Sequence, residues 1–273
     1  MKNKVLSLIS IAIALILPSC IEYETEVTLN KDGSGTITEE MVLSAQALSM
    51  MQMTPQQEGK KGGNPLTKMK DEATLKEKAK SFGEGVTFVK SEEIKRADGS
   101  TGVRVTYKFN DINKIKMNPG RGLGELSNMN LKGQDDGAAE AEETASFKYV
   151  DGTLTISLPQ PENAANQEGE GEEAPAATPN DPNAQMMAGM LKGMKISAKL
   201  TIPDGIAETN ATFTEGNTIT MMELNMDEVI KTPGGMAAFG GMQGKDANGL
   251  VGAMQKMKGV KAETKKEVTV KLK

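Results

Sequence analysis

Residues 22–41 read EYETEVTLNKDGSGTITEEM, and they determine how the rest of the chain is interpreted. Polar and apolar side chains alternate over residues 22–29, as in a β-strand with one buried face. The turn sequence DGSG follows at residues 32–35, and Ile37 and Met41 continue the alternation beyond it. This stretch therefore predicts a β-hairpin at the start of the folded region.

Similar signals recur along the chain. Turn residues at 98–99, 151–152, 204–205 and 215–217 separate short segments of alternating or β-branched sequence. The predicted strands lie at 86–89, 103–107, 147–150, 154–158, 195–202, 206–214, 218–222 and 267–272. We expect an α+β fold, a largely antiparallel β-sheet built from hairpins with helices packed on one face.

Five helical segments are predicted. Residues 44–53 form a short helix, and Pro65 opens a charged helix that runs to about residue 82. Its apolar residues occupy two nearly opposite faces, so this helix either packs on two neighbours or bends in the middle. A methionine-rich helix precedes the predicted strand at 195–202. Asn225 and Glu228 form a capping box for a short fourth helix. Leu250, Met254 and Met257 mark the fifth, which ends at Gly259.

The division of the chain follows from composition. Residues 1–19 are predicted to be a signal peptide, and residues 20–273 a single domain. Mobile segments are expected near 55–64, 118–145, 159–184 and 233–249. Residues 159–183, for example, are rich in Pro, Glu, Ala and Asn and contain almost no large apolar residue that could offset the entropy of ordering.

Net charge limits the choice of partner. The 273 residues carry a net charge of −5, which becomes −7 when Lys2 and Lys4 are removed with the signal peptide. A nucleic-acid partner is therefore not expected, because it would require a basic patch. The same balance argues against electrostatic adhesion to anionic lipid.

The N-terminus explains the single cysteine. Lys2 and Lys4 precede an apolar stretch of about 13 residues, which is too short to span a bilayer but typical of a signal-peptide core. Leu17-Pro18-Ser19 then leads directly into Cys20. This arrangement resembles the lipobox of bacterial lipoproteins. An ordinary cleaved signal peptide and a retained membrane anchor are the alternatives.

The lipobox resemblance implies lipidation at Cys20. The thiol would form a thioether to diacylglycerol, and the freed amine would carry an acyl chain such as palmitate. It also implies a cell-envelope location, with the outer membrane favoured in a diderm organism because Ile21 is not Asp. The remaining sequence is only weakly similar to β-rich envelope lipoproteins of unknown function. Since strand alternation begins two residues after Cys20, we expect the domain to be held close to the membrane.

Composition argues against catalysis. The chain has no histidine, which excludes histidine-dependent triads and the usual zinc sites. The many carboxylates lie in predicted linkers and on alternating strand faces, with no apolar pocket evident to shift their pKa. No enzyme activity, catalytic residue or cofactor is therefore predicted.

Residues 30–41 resemble an EF-hand calcium loop in part. Oxygen-bearing side chains occupy loop positions 1, 3 and 5, and glycine occupies position 6. However, Asn30 replaces the usual Asp at position 1, Met41 replaces the bidentate Glu at position 12, and the flanking segments are strands. A hairpin turn is predicted, and no metal site.

The methionine clusters are a further candidate metal site. Met50-Met51-Gln52-Met53, Met186-Met187 with Met190 and Met194, and Met221-Met222 with Met226 are similar to the clusters that hold Cu(I) in envelope copper proteins. Methionine is also an adaptable core residue. With few aromatic residues to fill space, core packing is the favoured interpretation, and a methionine-lined cavity for acyl chains is compatible with it.

The glycine-rich residues 232–242 include the apolar side chains of Met236, Phe239 and Met242. They lack the spacing of a phosphate-binding loop. A mobile linker is expected. The alternative is that these side chains contact a membrane or a hydrophobic ligand.

Three hypotheses of function follow. The first is a non-catalytic envelope lipoprotein, anchored to the membrane through Cys20, that binds or supports another envelope component, a protein or a polymer. The second is a carrier or sensor of a lipid or other hydrophobic ligand. The third is Cu(I) handling through methionine.

Overall fold

A computed structural model of the protein describes residues 21–53, 65–123, 144–158, 191–233, 235 and 257–273. Within these residues the chain forms two β-sheets and a few short helices, and most strand pairs are antiparallel. The predicted α+β class with a largely antiparallel sheet is confirmed. Nearly all buried apolar residues of both sheets belong to one continuous core.

The larger sheet has eight strands. Its main path runs in the order β10-β11-β8-β1-β2-β4-β3, and β12 also pairs with β11. The strands are β1 (Ile21–Leu29), β2 (Gly35–Leu43), β3 (Thr87–Lys95), β4 (Thr101–Phe109), β8 (Lys195–Thr201), β10 (Thr214–Glu215), β11 (Thr218–Asn225) and β12 (Val260–Ala262).

The smaller sheet has five strands in the order β5-β6-β7-β13-β9. They are β5 (Lys116–Met117), β6 (Ala145–Val150), β7 (Thr153–Ser157), β9 (Ile206–Thr209) and β13 (Glu267–Leu272). The predicted strand over residues 206–214 is wrong in one respect. The chain leaves the smaller sheet after Thr209 and enters the larger one at Thr214, so this segment forms two strands instead of one.

β1 is an interior strand of the larger sheet. Its buried and half-buried residues alternate throughout, as the sequence predicts, and it pairs antiparallel with β2. On its other side it pairs in parallel with β8, from Glu22 opposite Lys195 to Thr28 opposite Thr201. The alternation identifies the strand correctly, whereas the parallel partner, far away in sequence, leaves no local signal.

The described α-helices are α1 (Ala45–Met53), α2 (Pro65–Lys68), α3 (Glu72–Ser81) and α4 (Met226–Lys231), and Ile112–Lys114 forms a 3₁₀ turn. The helix predicted over residues 65–82 is interrupted between α2 and α3. Asp71 caps α3 by accepting hydrogen bonds from the amides of Ala73 and Thr74. The bend allows both apolar faces to be buried, Leu66 before it and Leu75 after it.

No helix within the described ranges is long and apolar enough to cross a membrane. The first residues of the segment 118–145, which was predicted to be mobile, belong to the folded structure. Residues 121–123 form a helical turn, and Leu123 is buried in the core. Segments 55–64 and 159–184, and nearly all of 233–249, lie outside the described residues, as does the signal peptide over residues 1–19.

Candidate functional site

The end of the larger sheet nearest Cys20 is the first candidate. β1 begins at Ile21, which lies opposite Leu43 of β2, and both side chains are buried. Cys20 itself lies outside the described residues. Any group attached to Cys20 would therefore be joined, with no intervening spacer, to a strand that is paired on both sides.

A polar groove of about 480 Å³ crosses the outer face of the larger sheet near this end. Eight of its thirteen lining residues are charged, and they come from strands β1, β2, β4, β8 and β11 and from the β3–β4 turn. The lining consists of Glu22, Tyr23, Glu24, Glu40, Arg96, Arg104, Lys195, Ile196, Ser197, Lys199, Glu223, Leu224 and Asn225.

Ion pairs connect neighbouring strands across this groove. Arg96 Nη2 lies 2.7 Å from Glu22 Oε2 and 3.5 Å from Glu40 Oε1, while Arg104 Nη2 lies 2.6 Å from Glu40 Oε2. The hydrogen bond to Glu22 raises the pKa of Arg96 further above its already high value. Lys199 pairs with Glu24. The groove therefore presents both positive and negative side chains, most of which are paired with one another.

On the opposite, inner face of the same sheet, the side chain of Glu39 is completely buried. Its Oε1 accepts a 2.7 Å hydrogen bond from the hydroxyl of Tyr23, and its Oε2 lies 3.4 Å from the hydroxyl of Tyr107. Lys78 of α3 places its Nζ 3.0 Å from Oε2, and Arg121 Nη1 lies 4.0 Å from Oε1. This buried carboxylate cluster joins β1, β2, β4, α3 and the turn at residues 121–123.

Aromatic packing holds the cluster from one side. The guanidinium of Arg121 lies 4.6 Å from the ring centre of Phe82, a cation–π distance, and the Phe82 and Tyr107 rings are 5.0 Å apart. Gly122 fits closely against the sheet, since a Cβ at this position would lie 2.6 Å from Ile196 and 2.7 Å from Tyr23. The turn at 121–123 therefore covers the sheet at very close range.

The cluster contains carboxylate, ammonium and phenol groups, which are the side chains able to perform acid–base chemistry in a chain without histidine. However, each group contacts another member of the same cluster, and the carboxylate is shielded by α3 and the 121–123 turn. The arrangement fits a clasp that fixes α3 and residues 121–123 onto the sheet. Glu39 was not predicted to be a site residue, although it lies between Ile37 and Met41 on the inward-facing register of β2. Nothing in the sequence indicates that Lys78 and Arg121 are its partners.

Residues 30–41 form the predicted hairpin rather than an EF-hand. The pKa of Asp32 is lowered by hydrogen bonds from the hydroxyl and amide of Ser34, at 2.6 and 2.9 Å. Gly33 has a φ of +84°, which the tight turn requires. Met41, at loop position 12, is buried in the core. Within the described ranges, no group of three or more carboxylates is placed to hold a metal ion.

Most methionines whose side chains are described lie in the core, and Met257 is partly buried against it. Met194, Met221, Met222 and Met226 are all buried within the continuous apolar cluster. This placement favours core packing. Met186, Met187 and Met190 lie outside the described residues, as do the side chains of Met50, Met51 and Met53. The predicted hydrophobic contact residues Met236, Phe239 and Met242 also lie outside them.

No protein-family model matches the chain, and no curated protein matches it in sequence. Among solved structures, the chain is similar to the folded domain of the LppM protein of Mycobacterium tuberculosis, determined by NMR. The two chains are 9% identical, with a TM-score of 0.32 over 93% of this chain and 91% of the other. A likeness of this extent establishes neither a shared fold nor a shared function.

Proposed function

We propose that the protein is a lipid-anchored, non-catalytic component of the bacterial cell envelope that binds or supports another envelope component. The observation that carries the proposal is the position of β1. It begins at Ile21, directly after the lipobox cysteine, and is an interior strand of the larger sheet. A cleavage point at Cys20 would therefore leave the whole folded domain intact.

The polar groove favours a polar partner over a hydrophobic cargo. Its charged side chains are distributed over several strands, and their ion pairs keep them in fixed positions. A lipid-carrier function draws support from the methionine-rich composition, but the described methionines occupy the packed core. A polar envelope protein or polymer is therefore the partner that this surface supports best.

The anchor is tested by intact-mass analysis of the protein purified from its native membranes. We expect the chain to begin at Cys20 and to carry the mass of a diacylglycerol and one further acyl chain. The Cys20→Ser variant should retain the signal peptide or be released from the membrane. A native chain with an unmodified Cys20 thiol would refute the proposal.

The choice of membrane is tested by density-gradient fractionation of the native protein. In a diderm host, we propose that it is found with the outer membrane. The common sorting variant Ile21→Asp is unsuitable here, because Ile21 is buried in the core and an ionised carboxylate there would destabilise the sheet. Fractionation of the unaltered protein avoids this complication.

A further inference from the structure

We propose that the end of the larger sheet nearest Cys20 docks on the anionic headgroups of the bilayer that holds the anchor. This inference rests on the proposed lipidation of Cys20. We call this surface the anchor end. It comprises the strand residues that lie level with Glu22 or closer to Cys20 in the register, together with the described turns and helices that continue directly from those strand ends, in segments 21–22, 42–53, 94–102, 191–195, 225–233 and 257–259.

Geometry brings the anchor end to the membrane. Consecutive Cα atoms lie about 3.8 Å apart, so a lipid on Cys20 holds Ile21 within one residue of the headgroup region. β1 cannot detach to provide a longer tether, because Ile21 is buried and the strand is paired with both β2 and β8. The strand ends on either side are therefore carried to the same surface.

The charge at the anchor end is opposite in sign to that of the whole chain. It has six basic residues and four acidic ones, although the full sequence is net negative by five charges. The basic residues are Lys95, Arg96, Lys192, Lys195, Lys231 and Lys258, and the acidic residues are Glu22, Asp98, Asp227 and Glu228. Each basic residue near an anionic membrane surface favours attachment.

Local contacts hold together the segments that carry the lysines. The carboxylate of Asp227 accepts a 2.8 Å hydrogen bond from the amide of Gly193, which fixes the segment before β8 against α4. Glu228 pairs with Lys231 at 3.0 Å and with Lys258 at 3.8 Å. The other two lysines of this region, Lys192 and Lys195, are exposed and form no ion pair with another described residue.

These charges affect an anchored protein differently from a free one. The net negative charge of the whole chain disfavours adhesion to anionic lipid, as the sequence analysis expects. Once the anchor holds one end at the surface, the charges within about one Debye length, roughly 8–10 Å, dominate the interaction. The basic anchor end then favours an orientation in which it faces the headgroups.

The test uses the lipidated full-length protein in vesicles of phosphatidylcholine, with or without phosphatidylglycerol. Lysine acetylation by an amine-reactive reagent is followed at each site by peptide mass spectrometry. We expect Lys192 and Lys195 to react about fivefold more slowly in the phosphatidylglycerol vesicles at low salt. High salt should abolish the difference, because it screens the attraction. Lys31 and Lys108, at the opposite end of the sheet, should react equally in both.

A matched pair of variants separates the local charge from the net charge. Lys231 and Lys258 should also react more slowly in the phosphatidylglycerol vesicles. Lys192→Glu with Lys195→Glu should remove this protection, whereas Lys31→Glu with Lys108→Glu, which changes the net charge equally, should retain it. Equal reaction of Lys192 and Lys195 in both vesicles would overturn the docking proposal and leave the anchor proposal standing. An intact mass without lipid on Cys20 would overturn both.

Discussion

The backbone amide of Thr212 donates a 2.5 Å hydrogen bond to Oε2 of Glu263, and this contact joins two connections between the sheets. Thr212 lies where the chain passes from β9 of the smaller sheet to β10 of the larger one. Glu263 lies where it returns from β12 to β13. The Thr212 hydroxyl donates a second hydrogen bond, 2.8 Å long, to Oε1 of Glu263. One buried carboxylate therefore holds both crossings together.

The stability of this junction should depend on pH. Burial raises the pKa of Glu263, but the hydrogen bonds from Thr212 and Lys265 outweigh it and leave the pKa below its usual value of 4.5. When a carboxyl group has a lower pKa in the folded state than in the unfolded state, its ionisation stabilises the fold at pH values above the unfolded-state pKa. This stabilisation is lost as the pH falls through the folded-state pKa. Glu263→Gln should therefore cost about 1.5–3 kcal/mol at pH 7, and less as the pH falls below 4.5.

Urea unfolding of the wild-type protein and of Glu263→Gln between pH 3 and pH 7 would measure this effect. This pH range extends on both sides of the ordinary glutamate pKa of 4.5. Glu267→Gln is the matched control, because Glu267 is exposed on β13 close to the same junction. Its free energy of unfolding should change by less than about 0.5 kcal/mol. A Glu263→Gln penalty that stays constant with pH would contradict the assigned role.

Glu39 and Glu40 provide a comparison between adjacent residues on opposite faces of β2. Glu39→Ala leaves Lys78 and Arg121 without their buried carboxylate, and we expect a loss of about 3–5 kcal/mol in the free energy of unfolding. Glu40→Ala breaks the partly exposed pairs with Arg96 and Arg104 and should cost about 1 kcal/mol or less. Denaturant unfolding of both variants is the measurement, and equal losses would show that Glu39 is not a clasp.

The two tyrosines of the buried cluster should differ in their contributions. The Tyr23 hydroxyl lies 2.7 Å from the Glu39 carboxylate, compared with 3.4 Å for Tyr107. Tyr23→Phe should therefore cost about 1.5–3 kcal/mol, the typical range for a hydrogen bond to a charged group, and Tyr107→Phe less. A double-mutant cycle between Tyr23→Phe and Glu39→Gln should give a positive coupling energy. Additive effects would indicate that the hydroxyl acts independently of the carboxylate.

Met222 distinguishes core packing from Cu(I) binding. Its side chain projects from β11 and is buried in the apolar core. Met222→Leu nearly preserves the side-chain volume and should therefore lower the free energy of unfolding by less than about 1.5 kcal/mol. Met222→Ala should cost about 2–5 kcal/mol because it leaves a cavity. Thermal unfolding with and without Cu(I) under reducing conditions is the measurement. Stabilisation by Cu(I) that Met222→Leu abolishes would instead favour a copper site.

The local part of the fold was accessible from sequence because strand alternation and turn chemistry are short-range signals. The turns at Gly33, Gly99 and Gly152 all have positive φ, and each joins the two strands that the sequence placed around it. The separation into two sheets was not accessible, because alternation shows which residues face inward and not which strand they pair with. The crossing at residues 210–213 is an example.

The candidate sites were likewise predictable from sequence only where the signal is local. Alternation along β2 is sufficient to place Glu39 on the buried face between Ile37 and Met41. Its charge partners, Lys78 and Arg121, come from distant segments whose approach depends on the complete fold. The anchor-end charges are likewise scattered along the sequence, and only the strand register brings them to one side of the molecule.

The parallel pairing of β1 with β8 has a consequence for how the protein matures. Ser197 of β8 lies 173 residues after its hydrogen-bond partner Glu24 of β1. Contacts between such distant residues form slowly, because a long loop must close first. The first strand must therefore wait, with one edge unpaired, until most of the polypeptide is available to fold. Until β8 has formed, that edge of β1 is open to pairing with other chains, which makes the incomplete fold prone to aggregation.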